Sequence, residues 1–281
     1  QLMRVMRTAA EMREVRLYSP GVVGLVATLG GIHSGHTMHL DVLRSRVDVL
    51  VGSLFLNPTQ FSESEDLSTY PATEAADLAE FEKHGVDYVF VPSVEEMYPT
   101  SDSQTPRIDT GPAAKLLEGA HRPDHFGGVA TVVARLFSII SPHKSTFGEK
   151  DAQQLRIIQH VNESLGLGVE IIPIPTVREA DGLAISSRNA YLSTEERKAA
   201  AVLYRALLAA KTVWDSGERS GNVLRSAMSD VLSDEPLAST QYASIANIDT
   251  FEELFQVVGS ARALLAVQIG KARLIDNLLL N

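Results

Sequence analysis

Residues 22–36 read VVGLVATLGGIHSGH, an apolar run that ends in a glycine-rich loop with two histidines. Apolar residues at helical spacing follow at Leu40 and Leu43, and β-like sequence returns over residues 49–56. A strand, a glycine loop, a helix and a second strand in this order predict a βαβ unit with parallel strands. We therefore predict an α/β protein built on a doubly wound parallel sheet.

The same alternation continues along the chain. A helix that begins after Thr73 is followed by a third buried strand over residues 86–91. Further predicted elements are a helix over 129–140, a short strand over 145–147, a helix over 151–165 and a strand over 169–174. These elements complete the first predicted domain, residues 1–176.

The sequence changes character after residue 176. Ser193-Thr-Glu-Glu196 is a capping box that predicts a long Ala/Leu-rich helix running towards Trp214. Two apolar runs on either side of Gly270-Lys271 predict a β-hairpin, joined by a strand over 242–248. We predict a smaller C-terminal α+β domain over residues 177–281.

Composition and charge exclude several classes of function. The chain has 281 residues, no cysteine and a formal charge of −10, so thiol catalysis and cysteine-held metals are excluded. Residues 61–100 carry ten acidic residues against one basic residue, which disfavours nucleic acid as a partner. The longest nearly apolar run, residues 22–32, is too short to cross a membrane, and no export signal is evident. We expect a cytoplasmic protein without a membrane partner.

Two loops have the chemistry of a phosphate site. His33 and His36 lie where a strand meets a helix, and helix N-termini favour anions. Lys150 lies in a second strand-to-helix turn, Gly148-Glu-Lys-Asp151, at the same predicted edge of the sheet. Taken alone, the histidines are also consistent with a solvated loop, and the Gly148–Asp151 sequence with a solvated turn.

Two further loops are rich in polar side chains. Residues 181–189, DGLAISSRN, place Arg188 and two serines on a loop that suits nucleotide phosphates. Asn57 and Gln60 follow the second strand and offer uncharged donors and acceptors, which suit the hydroxyls of a small polar substrate. Their alternatives are an ordinary surface Ser-Arg pair and a proline turn.

Taken together, these motifs resemble the pantoate–β-alanine ligase family. The resemblance is carried by GGIHSGH at 30–36, NPTQF at 57–61, HRPDHF at 121–126, FGEKDAQQ at 147–154, DGLAISSRN at 181–189 and ARLIDN at 272–277. It runs from about Val22 to the C-terminus and implies a Rossmann-like fold. Two positions depart from the family pattern: Leu29 replaces the usual methionine, and Ala72 replaces the usual arginine.

The resemblance implies roles for individual residues. Those implied to bind ATP are Leu29, Gly30, Gly31, Ile32, His33, Ser34, Gly35, His36, Gly148, Glu149, Lys150, Asp151, Val177, Ile185, Ser186, Ser187 and Arg188. Gln60 is implied to contact pantoate and β-alanine, and Gln154 to contact pantoate. His33, His36, Lys150 and Arg188 are expected to be the catalytic residues, acting as fixed positive donors.

The implied reaction joins (R)-pantoate to β-alanine with ATP, through an enclosed pantoyl adenylate, and releases pantothenate, AMP and pyrophosphate. Mg²⁺ is expected on the ATP oxygens, with no metal site on the protein itself, and the second domain is expected to close over the site. Asp77 and Glu80, one helical turn apart, either assist the metal through water or form a solvated face. The family implies a homodimer.

Three other functions share part of this pattern. Adenylyl or cytidylyl transferases and class I tRNA synthetases have related histidine loops, but a synthetase requires a basic surface that this chain lacks. A nucleotide-binding sensor without catalysis is the third alternative. The presence of His33, His36, Lys150, Gln154 and Arg188 favours an active ligase.

Overall fold

The computed structural model describes residues 2–62, 65, 67–99 and 108–281. The chain divides into two compact units. The first unit comprises Gln1–Glu149 and Gln154–Pro175, and the second comprises Lys150–Gln153 and Thr176–Asn281.

A parallel sheet forms the centre of the first unit. Over the described residues its strands are β1 (Arg4–Met6), β2 (Val23–Thr28), β3 (Val49–Leu54), β4 (Tyr88–Phe90), β5 (Lys144–Gly148) and β6 (Glu170–Ile174). Their order is β1-β4-β3-β2-β5-β6, and each pair is parallel. The chain passes from β2 to β3 on one side and later returns to β5 on the other. Sheets of this kind bind ligands at the carboxyl ends of the strands, where the order changes direction, so the end of β2 is the expected place for a site.

Helices cover both faces of this sheet. They are α1 (Ala9–Tyr18), α2 (Ser34–Arg44), α3 (Glu74–Lys83), α4 (Val94–Met97), α5 (Glu118–His121), α6 (His125–Ile140) and α7 (Ala152–Ser164). One apolar core packs α1 and α6 against the sheet through residues such as Met12 and Val133. The other packs α2 and α3 through Leu40 and Phe81. The predicted doubly wound α/β fold is confirmed.

The second unit is an α+β structure. It contains α8 (Thr194–Ala200), α9 (Val202–Asp215), α10 (Gly221–Ser233), β7 (Ala238–Ala246), β8 (Ala261–Ile269) and β9 (Ala272–Leu280). The three strands form an antiparallel sheet in the order β7-β8-β9. Its core packs Leu207 and Trp214 of α9 with Met228 of α10 and Leu265 of β8. The predicted hairpin and the smaller α+β unit are confirmed.

Several details differ from the sequence prediction. The single helix expected from Ser193 towards Trp214 is two helices, because the chain turns at Ala201 (φ −61°, ψ −14°). The capping box at Ser193 and Glu196 is present as predicted. Among the helices and strands of the described residues, β1, α1, α4, α5 and α10 have no counterpart in the sequence prediction. A signal for α1 exists in the capping box formed by Thr8 and Glu11.

Candidate active site

The glycine-histidine loop lies between β2 and α2, and the two histidines cap this helix. His33 Nδ1 accepts a hydrogen bond from the Gly35 backbone N–H at 3.1 Å, and His36 Nδ1 accepts from the His33 backbone N–H at 3.3 Å. The two ring centroids are 4.0 Å apart. Because both Nδ1 atoms are acceptors, the proton of each ring lies on Nε2. Each ring therefore has Nε2 as its remaining donor position, and the expectation that His33 and His36 act as fixed donors to a ligand stays a prediction.

Asp77 of α3 holds the glycine loop in place. Its two carboxylate oxygens accept the backbone N–H groups of Gly31 at 3.0 Å and Ile32 at 2.8 Å. Asp77 is 3% exposed, so its interpretation as part of a solvated face is wrong. Glu80, the other residue of that interpretation, is partly exposed and forms a salt bridge to the exposed Lys83 at 3.4 Å, as a solvated position would.

The loop packs too tightly at Gly30 for a side chain. Gly30 has φ +100°, and a Cβ atom there would lie 2.7 Å from Ala72 Cβ and 2.9 Å from Asp77 Oδ2. Ala72, where the family pattern has arginine, thus lies directly beside the glycine loop. This conformation requires glycine at position 30.

Asn57 is part of the scaffold of the polar loop after β3. It is fully buried, and its Oδ1 accepts from the Tyr98 hydroxyl at 2.8 Å and the Thr59 hydroxyl at 2.9 Å. Its Nδ2 donates to Gln60 Oε1 at 3.1 Å and to Gly128 O at 3.3 Å. These bonds use the hydrogen-bonding capacity of the Asn57 amide within the protein, and a substrate contact of Asn57 stays a prediction.

Gln60 is oriented by its surroundings. Because Asn57 donates to Gln60 Oε1, the orientation of the Gln60 amide is set, with Nε2 as its donor end. The backbone oxygen of Gln60 accepts from His125 Nδ1 at 3.0 Å and from Arg122 Nη2 at 3.5 Å. Gln60 is 9% exposed, so its amide lies in a largely buried setting.

His125 and Arg122 hold this loop through their bonds to the Gln60 backbone oxygen. The sequence analysis gives neither residue an individual role. Burial, with a contribution from the Arg122 charge, lowers the pKa of His125 to about 4. The Arg122 guanidinium in turn forms a salt bridge to Glu65 at 2.5 Å. The sequence signal that could have identified both residues is the HRPDHF motif at 121–126, one of the motifs that carry the family resemblance.

The loops of the first unit lie at one edge of the sheet. The glycine loop and the Asn57 loop follow β2 and β3, which are neighbours with Thr28 paired to Leu54. β5 is the other neighbour of β2, and it ends at Gly148. His39 of α2 is hydrogen bonded to Thr146 of β5 at 3.1 Å, which places α2 beside the turn after β5. The structure thus brings residues 29–36, Asn57, Gln60 and Gly148 to the same edge.

The remaining predicted residues belong to the second unit, except for Glu149 and Gln154, which lie in the first. Lys150 is mostly buried, and its amine is 3.8 Å from the Asp151 carboxylate. The carbonyl oxygen of Lys150 accepts a hydrogen bond from Asn277 Nδ2 at 2.8 Å.

A second loop of the same unit carries Val177 and residues 185–188. The Ile185 backbone N–H donates to Val177 O at 2.9 Å and closes the loop. Ser186 Oγ accepts from the Arg188 backbone N–H at 3.3 Å and caps a short 3-10 helix, Ser187–Tyr191. This capping fixes the backbone at Arg188.

Two further observations concern metals and membranes. Among the residues that the structure describes, no group of three or more histidine, aspartate or glutamate side chains is arranged to hold a metal ion. Within the same described part of the chain, no helix has the length and apolar character needed to span a bilayer.

Comparisons with known proteins give consistent results. The family model for pantoate-beta-alanine ligase matches residues 4–279. A pantothenate synthetase of Roseiflexus sp. (strain RS-1) is 51% identical over 278 residues, covering 99% of each chain. The crystal structure of pantothenate synthetase from Thermus thermophilus has a TM-score of 0.92 at 44% identity and covers 98% of this chain and 99% of that one.

A ligand-bound structure is also similar. The pantoate-beta-alanine ligase of Francisella tularensis, complexed with beta-gamma ATP and beta-alanine, has a TM-score of 0.82 at 31% identity. The match covers 99% of this chain and 97% of that one.

Proposed function

The chain belongs to the pantoate–β-alanine ligase family and joins pantoate to β-alanine using ATP, and we propose that it does so through an enclosed pantoyl adenylate. In the first step a pantoate carboxylate oxygen attacks the α-phosphorus of ATP, and the bond from that phosphorus to the bridging oxygen breaks to release pyrophosphate. In the second step the β-alanine amine attacks the acyl carbon, loses a proton, and AMP leaves. Pantothenate is the product.

The observation that carries this proposal is the mutual capping of His33 and His36 at the start of α2. The capping bonds hold both imidazoles rigidly and leave Nε2–H as the donating group of each ring. Charge that develops on the phosphoryl oxygens in the first step is stabilised by donors fixed in advance. We assign this task to both histidines, together with the α2 N-terminus.

Positive charge comes from Lys150 and Arg188 in this proposal. An ammonium group offsets charge on the phosphates as a point charge, and a guanidinium offers a bidentate fork. The other members of the proposed ATP set are Leu29–Ile32, Ser34, Gly35, Gly148, Glu149, Asp151, Val177 and residues 185–187. We propose residues 1–176 as the domain that binds nucleotide and pantoate, and residues 177–281 as a second domain that contributes Arg188.

Pantoate is assigned to Gln60 and Gln154, with Gln60 also contacting β-alanine. The buried Gln60 Nε2–H group can donate to a hydroxyl or carboxylate oxygen of pantoate. Because the amide is uncharged, it does not add a positive charge that would attract the phosphates of ATP to the pantoate position. Asn57, the third residue of the proposed substrate set, sets the orientation of Gln60.

Mg²⁺ enters this scheme bound to ATP as part of the substrate. Family membership also supports a homodimer and a cytoplasmic location, which we include in the proposal.

Pyrophosphate exchange tests the two-step scheme directly. Labelled pyrophosphate should enter ATP when pantoate and Mg-ATP are present and β-alanine is absent, because adenylation precedes amine attack. A requirement for β-alanine in this exchange would contradict the scheme. Omitting pantoate is the control, and it should abolish exchange; exchange without pantoate would favour a different nucleotidyl transfer.

A further inference from the structure

The last strand, β9, carries a polar pair in the middle of an apolar sheet. Asp276 and Asn277 are 3% and 5% exposed. Asp276 is paired with Leu265 of β8, and Asn277 with Leu264. Because successive residues of a strand point to opposite faces, these two side chains serve opposite faces of the sheet. Buried polar groups are costly unless hydrogen bonded, so the partners on each face show what the pair holds.

On one face, Asn277 holds the backbone of Lys150. Its Nδ2 donates to the Lys150 carbonyl oxygen at 2.8 Å. Its Oδ1 accepts from Arg262 Nη1 at 2.5 Å. The guanidinium has only donors, so it fixes the oxygen end of the amide and directs the NH₂ end towards Lys150. The bond to Lys150 joins residues 127 positions apart in the sequence.

On the other face, Asp276 holds the start of the loop that carries Arg188. Arg178 donates to both Asp276 oxygens, at 2.6 and 2.9 Å, and its guanidinium lies 4.3 Å from the centre of the Tyr204 ring. The same guanidinium donates to Gly182 O at 3.1 Å. The backbone of Arg178 pairs with Ala184, which immediately precedes the 185–188 segment.

We propose that Asp276-Asn277 is a positioning element for adenylation: Asn277 fixes the Lys150 backbone, and Asp276, through Arg178, fixes the loop that leads to Arg188. This inference rests on the proposed function, because it takes Lys150 and Arg188 as the positive donors to ATP. Such donors stabilise a transition state only when their positions are set before the reaction. A lysine side chain is long and flexible, so fixing the peptide from which it extends is a direct way to limit its reach.

Two substitutions at position 277 test the inference. Asn277→Leu removes the donor to Lys150 and also the acceptor for Arg262. Asn277→Asp keeps an oxygen for Arg262, but at about pH 8 it directs a carboxylate at the Lys150 carbonyl oxygen. We expect each variant to lower the kcat of pantoate-dependent pyrophosphate exchange by about 10- to 100-fold, the scale of a small misplacement of a catalytic group.

The matched control is Gln268→Leu. Gln268 is also an amide of this sheet, and its Nε2 donates to a backbone carbonyl, Gly270 O, at 2.9 Å in the β8–β9 hairpin. This variant should keep the parent kcat. Each kcat is divided by the number of ATP sites titrated by calorimetry, so a loss of folded protein does not register as a loss of rate. The KM for pantoate should stay at the parent value in both variants at position 277.

Lys150→Ala is measured in the same assay, so that a failure of the positioning inference can be distinguished from a failure of the proposed role of Lys150. If Lys150→Ala lowers exchange but both variants at position 277 keep the parent rate per titrated site, the positioning inference is wrong and the proposed function stands. If Lys150→Ala itself keeps the parent rate, the proposed role of Lys150 is wrong and the inference falls with it. If the loss in the Asn277 variants is entirely a loss of titratable ATP sites, the pair serves folding alone and the inference is overturned.

Discussion

Acidification should destabilise the first unit through one histidine, His125. This ring lies at the start of α6 and donates from Nδ1 to Gln60 O at 3.0 Å. Burial is the main cause that lowers its pKa from 6.5 to about 4, and the nearby Arg122 charge acts in the same direction. Between about pH 6.5 and pH 4, His125 is protonated in the unfolded chain and neutral in the native protein. Stability that is present above about pH 6.5 is therefore lost as the pH falls towards 4.

The size of the effect follows from the two pKa values. Lowering the pH from about 7.5 to about 5 should reduce the free energy of unfolding by about 2 kcal/mol through His125 alone. The matched variant is His125→Asn, because an asparagine Nδ2 can replace the Nδ1–H donor to Gln60 and does not titrate. The other titratable groups are common to both proteins, so the difference between their pH dependences isolates His125.

Hydrogen exchange of the α6 amides is the suitable assay. The only tryptophan, Trp214, belongs to the second unit, so its fluorescence follows the wrong part of the chain. Protection free energies for α6 should fall by about 2 kcal/mol more in the parent than in His125→Asn between the two pH values. Equal losses in the two proteins would refute the assignment of a neutral, buried His125.

Three further results are expected. Lys150→Ala or His36→Ala should lower exchange by at least about 10² while the circular dichroism spectrum stays native, and near-parent turnover would remove that residue from the site. Gln60→Leu or Gln154→Leu should weaken the pantoate dependence of exchange by about 1 to 3 kcal/mol, while the ATP affinity measured by calorimetry stays close to the parent value. Weaker ATP binding with unchanged pantoate dependence would assign these glutamines to the nucleotide. Asp77→Ala should leave two loop N–H groups unpaired and weaken ATP binding by about 1 to 3 kcal/mol, and unchanged ATP affinity would count against a preformed loop.

The sequence predicts the fold well where the chain repeats a strong local pattern. The βαβ units of the first domain and the hairpin around Gly270 have apolar runs separated by glycine or proline, and these periods specify element type. β1 has only three residues, which is too short to establish a period. α10 carried a usable signal in Leu224, Met228 and Leu232, spaced four residues apart. The break at Ala201 has no such marker, because no glycine or proline lies there.

Site prediction from sequence succeeds in placing loops and is limited in assigning side chains. Asn57 and Gln60 have similar chemistry, and only the tertiary contacts of Asn57 with Tyr98 and Gly128 distinguish the two residues. Asp77 lies on a helix with many acidic neighbours, where a solvated face is the ordinary expectation. The contact that buries it joins residues 46 positions apart, and no local pattern encodes that distance.

Three buried residues whose contacts could not be predicted from the sequence share one arrangement. Asp77 holds Gly31, Asn57 holds Gln60 and Asn277 holds Lys150. In each case a buried polar side chain fixes a residue that we propose to contact a ligand. Burying such a side chain is favourable only while its hydrogen bonds are made, so the native fold and the geometry of the ligand contacts depend on the same bonds. Substituting the buried partner should therefore affect catalysis as well as stability, whereas substituting the ligand-contacting residue should affect mainly catalysis.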